Sequence, residues 1–268
     1  MSALVQTSVA VPIGRRPRAV IAFATLLGAA AFLWPFFVRP PETGGAPNST
    51  LTFLMFGGLL VIVMAIAFSE VAAGGIDSKA IAMLGVLSAI GAALRPLGAG
   101  TAGIETIFFM LVLAGRVFGP GFGFVLGCTT LFSSALVTGG VGPWLPYQMF
   151  GCAWVGMLAG MLPRATGRRE LAMLAAFGAV SGYLYGLFIN LSFWPFSIDP
   201  QSTIAYLPGA AVVTNLARYV AYDVTTSLGW DTGRALTNVA AILIVGPAVL
   251  ATLRRAARKA AFRPAGRT

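Results

Sequence analysis

The stretch from residue 117 to residue 163 contains no charged residue, and glycines recur in and just before it in two sets, four or five residues apart. These glycines are Gly115, Gly119, Gly123, Gly127, Gly151, Gly156 and Gly160. A break at 139–146 divides the stretch into two segments of about 20 residues, each long enough as a helix to cross a hydrocarbon core of roughly 30 Å. Glycines four residues apart allow helices to approach backbone to backbone. The stretch therefore predicts closely packed transmembrane helices.

Hydrophobic residues make up 57% of the 268-residue chain and charged residues 10%, which excludes a water-soluble globule. We expect an all-α integral membrane protein that forms one compact helical domain in the lipid bilayer. Apolar runs that can cross it lie at residues 19–38, 51–70, 79–95, 104–118, 120–138, 146–163, 171–191 and 233–253. A further run at 203–226 contains Arg218 and Asp223, whose charges are costly at the bilayer centre. This run is predicted to be an outer loop with a re-entrant or interfacial helix, which leaves eight transmembrane helices.

Basic residues cluster before the first apolar run, between two later runs and after the last, within 15–18, 164–169 and 254–267. Because short basic loops stay in the cytoplasm, we expect both termini there. Eight spans then leave on the outside only Arg39, Arg95, Arg218 and Arg234. A ninth span would move the basic tail to the other side. A cleaved signal peptide is the alternative for the first run, but that run is long enough to span the membrane.

The chain contains no histidine, which excludes Ser-His-Asp triads and ordinary zinc sites. Its lysines, Lys79 and Lys259, lie in no glycine-rich phosphate-binding loop, so coupling to ATP has to come from a partner. The acidic residues form no close cluster that would hold magnesium. We therefore expect no catalysis, metal or cofactor. The net charge of +10 is spread over loop ends, which indicates membrane orientation rather than nucleic-acid binding.

Residues 113–127, Leu-Ala-Gly-Arg-Val-Phe-Gly-Pro-Gly-Phe-Gly-Phe-Val-Leu-Gly, resemble the helix-turn-helix glycine pattern of the substrate-binding S components of energy-coupling factor (ECF) transporters. The six spans from about 79 to 253 are similar to these vitamin receptors in order, in cytoplasmic termini and in a long outer loop before the last helix. The resemblance implies a six-helix core over 71–268, with the outer loop at 192–232, and a two-helix membrane hairpin over 1–70. The residues predicted to serve helix packing are Gly115, Gly119, Pro120, Gly123 and Gly127.

The resemblance also implies a function: a subunit of a bacterial cell membrane, not itself an enzyme, that captures a vitamin or vitamin-like micronutrient at the outer face. Such subunits depend on a transmembrane coupling subunit and two ATPase subunits for delivery inside. In the family, small residues on the first core helix form the docking surface for the coupling subunit. The matching residues here are Ala82, Gly85, Ala89 and Ala93. The alternative is that this stripe packs inside the receptor's own bundle.

Polar and aromatic residues at outer helix ends are the candidates for ligand binding, because a small-molecule pocket combines apolar walls with a few polar groups. They are Arg95, Glu105, Trp144, Tyr147, Gln148, Asn190, Trp194, Asn215, Arg218, Tyr219 and Asp223. Trp144 and Trp194 fit an interfacial aromatic belt equally well. Asp199 and Asp231 are predicted to be plain loop acids.

Two other functions are compatible with this composition. One is a solitary facilitator or ion-coupled carrier of a small molecule, and the other is a membrane scaffold or assembly protein that makes only helix contacts. Co-purification with ATPases separates the receptor from both, and tight retention of a ligand separates transport from scaffolding. The sequence does not identify the nutrient: a ring-containing vitamin fits the aromatic candidates, and a long outer loop would cover even a corrinoid.

Overall fold

The computed structural model describes residues 10–11, 14–43, 46–73, 77–98 and 101–260. Its helices are α1 (Arg15–Phe37), α2 (Ser49–Ala73), α3 (Ser78–Leu94), α4 (Phe108–Phe118), α5 (Pro120–Thr138), α6 (Leu145–Met161), α7 (Gly167–Ser197), α8 (Val212–Ile244) and α9 (Gly246–Ala260). A short 3-10 helix, Arg95–Leu97, extends α3. The two-residue strands β1 (Glu42–Thr43) and β2 (Ala46–Pro47) pair antiparallel between α1 and α2.

Local sequence signals explain several helix ends. Asp77 caps α3, since its carboxylate accepts a hydrogen bond of 3.1 Å from the Lys79 backbone N–H. Pro120 begins α5 at a position where a missing N–H costs nothing, and Gly139 ends that helix in the left-handed conformation with φ 66°. Predicted and observed bounds of α5 therefore coincide.

The short helix α4 lies at the centre of the bundle. Every one of its residues except Arg116 is buried, and it packs against α5, α6, α7, α8 and α9. With 11 residues it covers only roughly 16 Å, about half of a hydrocarbon core. The segment before α4 therefore approaches the middle of the bundle rather than its rim.

Glycines bring α4 and α5 into backbone contact with α6. A Cβ atom on Gly115 or on Gly123 would overlap the carbonyl oxygen of Gly156, and one on Gly127 would overlap that of Cys152. One turn further along α6, a Cβ on Gly160 would meet the backbone of Gly119 and Pro120. The four-residue spacing on α5 thus matches the facing positions on α6, and the helices touch along most of their length.

Five helices of the described residues are long and apolar enough to cross a membrane, or six if the bent pair α8 and α9 counts as one span. The five are α1, α2, α3 with its 3-10 extension, α5 and α7. The chain is thus an all-helical multi-pass membrane protein. The predicted count of eight spans is not confirmed, because α4 is too short and α8 and α9 meet at an angle of 66°.

The region predicted as the outer loop 192–232 is largely helical. It is part of α7 up to Ser197 and part of α8 from Val212 onward, so that only 198–211 connects the two helices. The last predicted span, 233–253, is divided by the break at Val245, and the buried residues of α9 are Gly246, Leu250 and Leu253. The charges in this region have partners elsewhere in the fold, as described below.

The first two helices pack directly onto the later ones. The Phe53 ring of α2 stacks on the Tyr147 ring of α6 at a centroid distance of 4.6 Å, and the Tyr147 hydroxyl donates to the Phe53 carbonyl at 2.9 Å. From α1, Phe32 meets the edge of Tyr147 at 5.2 Å. Tyr147 thus joins the proposed extension to the remaining helices.

A buried carboxylate joins α4, α7 and α9 at the end of the bundle where α7 begins. Glu170 is 3% exposed and accepts hydrogen bonds of 2.7 Å from both Arg116 and Arg254. Arg116 also donates to the carbonyls of Leu162 and Pro163 at 2.9 and 3.0 Å. The guanidinium of Arg116 is therefore engaged by contacts within the chain.

Candidate ligand site

Small residues on α7 allow α8 to lie close against its backbone. Gly178, Gly182 and Gly186 are spaced four apart and face α8. A Cβ on Gly186 would overlap the carboxylate of Asp231, and one on Gly182 would crowd the backbone of Ala235. Because the glycines leave carbonyls open, polar side chains of α8 bond to them: Asn238 donates to Gly178 at 3.0 Å. The result is a row of polar contacts between the apolar helices α7 and α8, which we call the polar seam.

Arg234 is the centre of this seam and is 7% exposed. Its Nη1 donates to Asp231 Oδ1 at 2.5 Å and to the Gly182 carbonyl at 3.1 Å, and its Nη2 donates to Glu105 Oε1 at 2.8 Å. Two carboxylates thus share one guanidinium. A charge in such a position within a membrane helix indicates a functional site.

The segment 101–107 carries Glu105 into the bundle. Ala102 and Gly103 adopt left-handed conformations with φ 46° and 76°. A Cβ on Gly103 would overlap the Trp230 carbonyl, and one on Gly233 would overlap the Ala102 carbonyl, so this backbone lies directly on α8. That contact places Glu105 three residues before α4 and next to Arg234.

A cavity of about 340 Å³ lies between α7 and α8 above this network. Its lining combines aromatic rings with hydroxyl, amide and charged groups: Tyr185, Gly186, Ile189, Asn190, Tyr222, Thr226, Ser227, Trp230, Asp231 and Arg234. Asn190 Nδ2 donates to Asp223 Oδ1 at 2.7 Å and to Ser227 Oγ at 2.5 Å. The Arg234 guanidinium lies over the Tyr185 ring at 5.1 Å from its centroid. A few polar groups among aromatic walls suit a small organic ligand.

A second cavity of about 250 Å³ lies between α1, α6 and α7. Its walls are mostly apolar, and no charged residue lines it. Tyr185 belongs to both linings and so separates the two cavities. Because it lacks charged groups, this second cavity has few side chains that could bind a polar nutrient.

Of the predicted ligand residues, Asn190 lines the polar cavity, while Asp223 and Glu105 bond directly to lining residues. Three others instead hold the 198–211 connection, and a fourth, Tyr219, donates its hydroxyl to the Leu187 carbonyl of α7. Asn215 makes two hydrogen bonds to the Leu207 backbone, and Arg218 donates to the carbonyls of Ser202 and Ala205. Trp194 Nε1 donates to Ile204 at 2.8 Å and its ring packs against Tyr219 at 5.3 Å. Their polarity serves the fold of the connection.

The remaining candidates lie away from the polar cavity. Arg95 donates to Ser134 and Gln148 at 3.5 and 3.4 Å, which places Arg95 and Gln148 between α5 and α6. Tyr147 packs against α1 and α2, and Trp144 is 39% exposed at the start of α6.

The prediction that Asp231 is a loop acid is wrong, since Asp231 is buried in α8 and paired with Arg234. Sequence reasoning also missed the other lining residues of α8, including Tyr222 and Trp230. A signal was available: polar residues recur every three or four positions at 223, 227, 231, 234 and 238, opposite glycines spaced by four on α7.

The small-residue stripe of α3 faces away from the other described helices. Ala82, Gly85, Ala89 and Ala93 are all exposed, and a Cβ on Gly85 would meet no atom within 4 Å. Of the helices described, α3 packs mainly against α5, on its opposite side. The stripe therefore does not pack inside the described bundle.

These features define a multi-pass helical membrane protein with a polar, aromatic cavity between its two longest helices. A family model described as the substrate-specific component of ECF transporters matches residues 79–226, more than half of the chain. The chain belongs to this family, as its glycine pattern predicts. It is thus a transport subunit that binds a small-molecule substrate and acts with other ECF subunits, not an enzyme. No curated protein and no solved structure matches the chain.

Proposed function

We propose that this chain captures a vitamin-like micronutrient at the outer face of the membrane, in the cavity between α7 and α8, and delivers it to an ATP-driven coupling module. The observation that supports this function best is the ionic network in which Arg234 and Asp231, both buried and both in the wall of that cavity, join Glu105. Ionisable groups are retained in membrane helices mainly where they serve transport or recognition. The described helices α3 to α9 form the receptor core in this proposal, and α1 and α2 are an added hairpin.

The volume of the cavity limits the size of the nutrient that it can hold. Small-molecule pockets range from roughly 300 to 1,000 Å³, and this cavity of about 340 Å³ is at the lower limit. A corrinoid macrocycle is far larger than that volume. A compact ring compound fits, with Tyr222 and Trp230 as walls.

The first prediction concerns Trp230, which lines the cavity. Trp230→Ala removes an aromatic wall, so the purified protein should retain at least about tenfold less ligand, equivalent to about 1.4 kcal/mol of binding. Mass spectrometry of ligand released from the protein measures this. The control is Trp144→Ala, which removes a similarly exposed tryptophan at the start of α6 and should leave retention unchanged. Equal retention by both variants would place the ligand elsewhere.

The exposed stripe on α3 is the proposed docking surface for the coupling subunit. Helices in a membrane associate through close van der Waals contact, which small residues permit and bulky ones prevent. A glycine with open space over its Cα, such as Gly85, has no partner within the described chain that would explain its small size.

Gly85→Leu should therefore reduce co-purification with the coupling subunit and the ATPases to about one tenth or less, a loss of about 1.4 kcal/mol. Ligand retention should stay intact, because α3 does not line the cavity. Gly58→Leu on α2 is the matched control, since that glycine is also exposed with open space. If Gly85→Leu assembles as well as Gly58→Leu does, the docking surface lies elsewhere.

A further inference from the structure

We propose that the α7–α8 cavity selects a small organic cation that contains a flat ring and a hydrogen-bond acceptor. This inference rests on the proposed function, because it names the ligand class of the same cavity. It follows from the charges around the cavity, from one unpartnered donor and from the aromatic walls.

Carboxylates outnumber basic groups around the cavity. Asp231 and Glu105 share Arg234, and Asp223 pairs with no arginine or lysine of the described chain. The nearest other basic side chains are engaged elsewhere: Arg218 bonds to carbonyls of the 198–211 connection, and Arg95 bonds to Ser134 and Gln148. Three carboxylates therefore lie in the cavity wall or one hydrogen bond behind it, against one guanidinium, and an added cation reduces this imbalance.

Arg234 does not act as a receptor for an anion, because its two Nη atoms are already bonded to carboxylates and to the Gly182 carbonyl. Its Nε is buried and has no hydrogen-bond partner, although the residue lines the cavity and is only 7% exposed. A buried donor without a partner is costly. Because the residue lines the cavity, a shift of the side chain toward it would bring Nε to a neutral acceptor on the ligand, such as a carbonyl or a ring nitrogen, which would satisfy the donor without a negative charge.

Asp223 is the preferred contact for the positive charge. Asn190, which lines the cavity, donates to its Oδ1 at 2.7 Å, so this carboxylate lies directly behind the cavity wall, one hydrogen bond from the lining. Tyr222 and Trp230 stand nearby on α8 and offer ring faces, which attract cations through their quadrupoles. A flat cationic ring satisfies the carboxylate and the aromatic faces together.

The test uses three ligands with one ring and one carbonyl group but different charge: N1-methylnicotinamide, a cation, nicotinamide, which is neutral, and nicotinate, an anion. Calorimetric titration of the detergent-purified full chain should show the cation binding about tenfold more tightly than the neutral compound, a difference of about 1.4 kcal/mol. Nicotinate should bind most weakly. Equal or tighter binding of either other compound, or no binding of the cation at millimolar concentration, would overturn the inference.

Asp223→Asn removes the charge but keeps an acceptor for Asn190, so it should abolish the preference for the cation and leave nicotinamide binding unchanged. Asp199→Asn, a change of the same kind at an exposed acid of the connection, should keep the preference. A preference that survives Asp223→Asn contradicts this role.

If nicotinamide binds as well as the cation and Trp230→Ala abolishes binding, the charge inference fails while the proposed site stands. If Trp230→Ala changes no binding, the proposed site fails as well.

Discussion

Arg234→Met should destabilise the protein by about 3–5 kcal/mol, because it leaves Asp231 and Glu105 close together without the guanidinium between them. Removing one member of a buried ionic group costs far more than removing all of them. Thermal unfolding in detergent, followed by the loss of helical circular dichroism, measures the change.

Two control variants test whether the loss of stability in Arg234→Met comes from the unbalanced carboxylates. Arg255→Met removes an exposed arginine of α9 and should change stability by no more than about 0.5 kcal/mol. Combining Arg234→Met with Asp231→Asn and Glu105→Gln removes the unbalanced charges and should recover much of the loss. A single Arg234→Met variant as stable as the parent chain would show that the network does not hold α8 against 101–107.

Gly123→Ala should destabilise the bundle by at least about 2 kcal/mol, because the added methyl group would overlap the backbone of Gly156. The obstacle is backbone on both sides, so no side-chain rotation relieves it. The same unfolding measurement applies, together with the monodispersity of the purified protein.

Gly85→Ala is the matched control for the isolated chain. It places the same methyl group on an apolar helix of the same bundle, but into open space. The small gain in helix propensity makes it neutral or slightly stabilising. If the two alanine variants were equally stable, the close approach of α5 and α6 would contribute little to the fold.

Helix positions could be predicted where the signals lie in the helix itself, as terminal proline and glycine residues or as an apolar run. The run 120–138 coincides with α5, and the run 79–95 lies within one residue of α3. The charges of Arg218 and Arg234 predict an outer position for their part of 192–253, and the structure shows both residues on the long helix α8. Arg218 is satisfied by carbonyls of the neighbouring 198–211 connection, and Arg234 by Glu105, which is far away in sequence. A hydropathy profile of one sequence does not identify the groups with which these charges interact.

The candidate site was predictable only in part, for a related reason. Asn190, Asp223 and Glu105 were selected for polarity and lie at or beside the cavity. Trp194 and Asn215 were selected on the same ground, yet they bond to the backbone of the connection. A polar side chain at a helix end needs a hydrogen-bond partner, but its polarity does not indicate whether that partner is a ligand or the protein's own backbone. The facing patterns on α7 and α8 would have made that distinction.

Glu170 gains its two arginine partners at different stages of synthesis. Arg116 and Glu170 leave the ribosome before Arg254, because the chain is made from its N-terminus. The carboxylate therefore has one arginine available while α8 is being inserted, and the second only once α9 has emerged. Since α9 also covers α4, the base of the central helix stays open until α9 has emerged. The pairing of one carboxylate with two arginines is therefore completed only after α9 has been made.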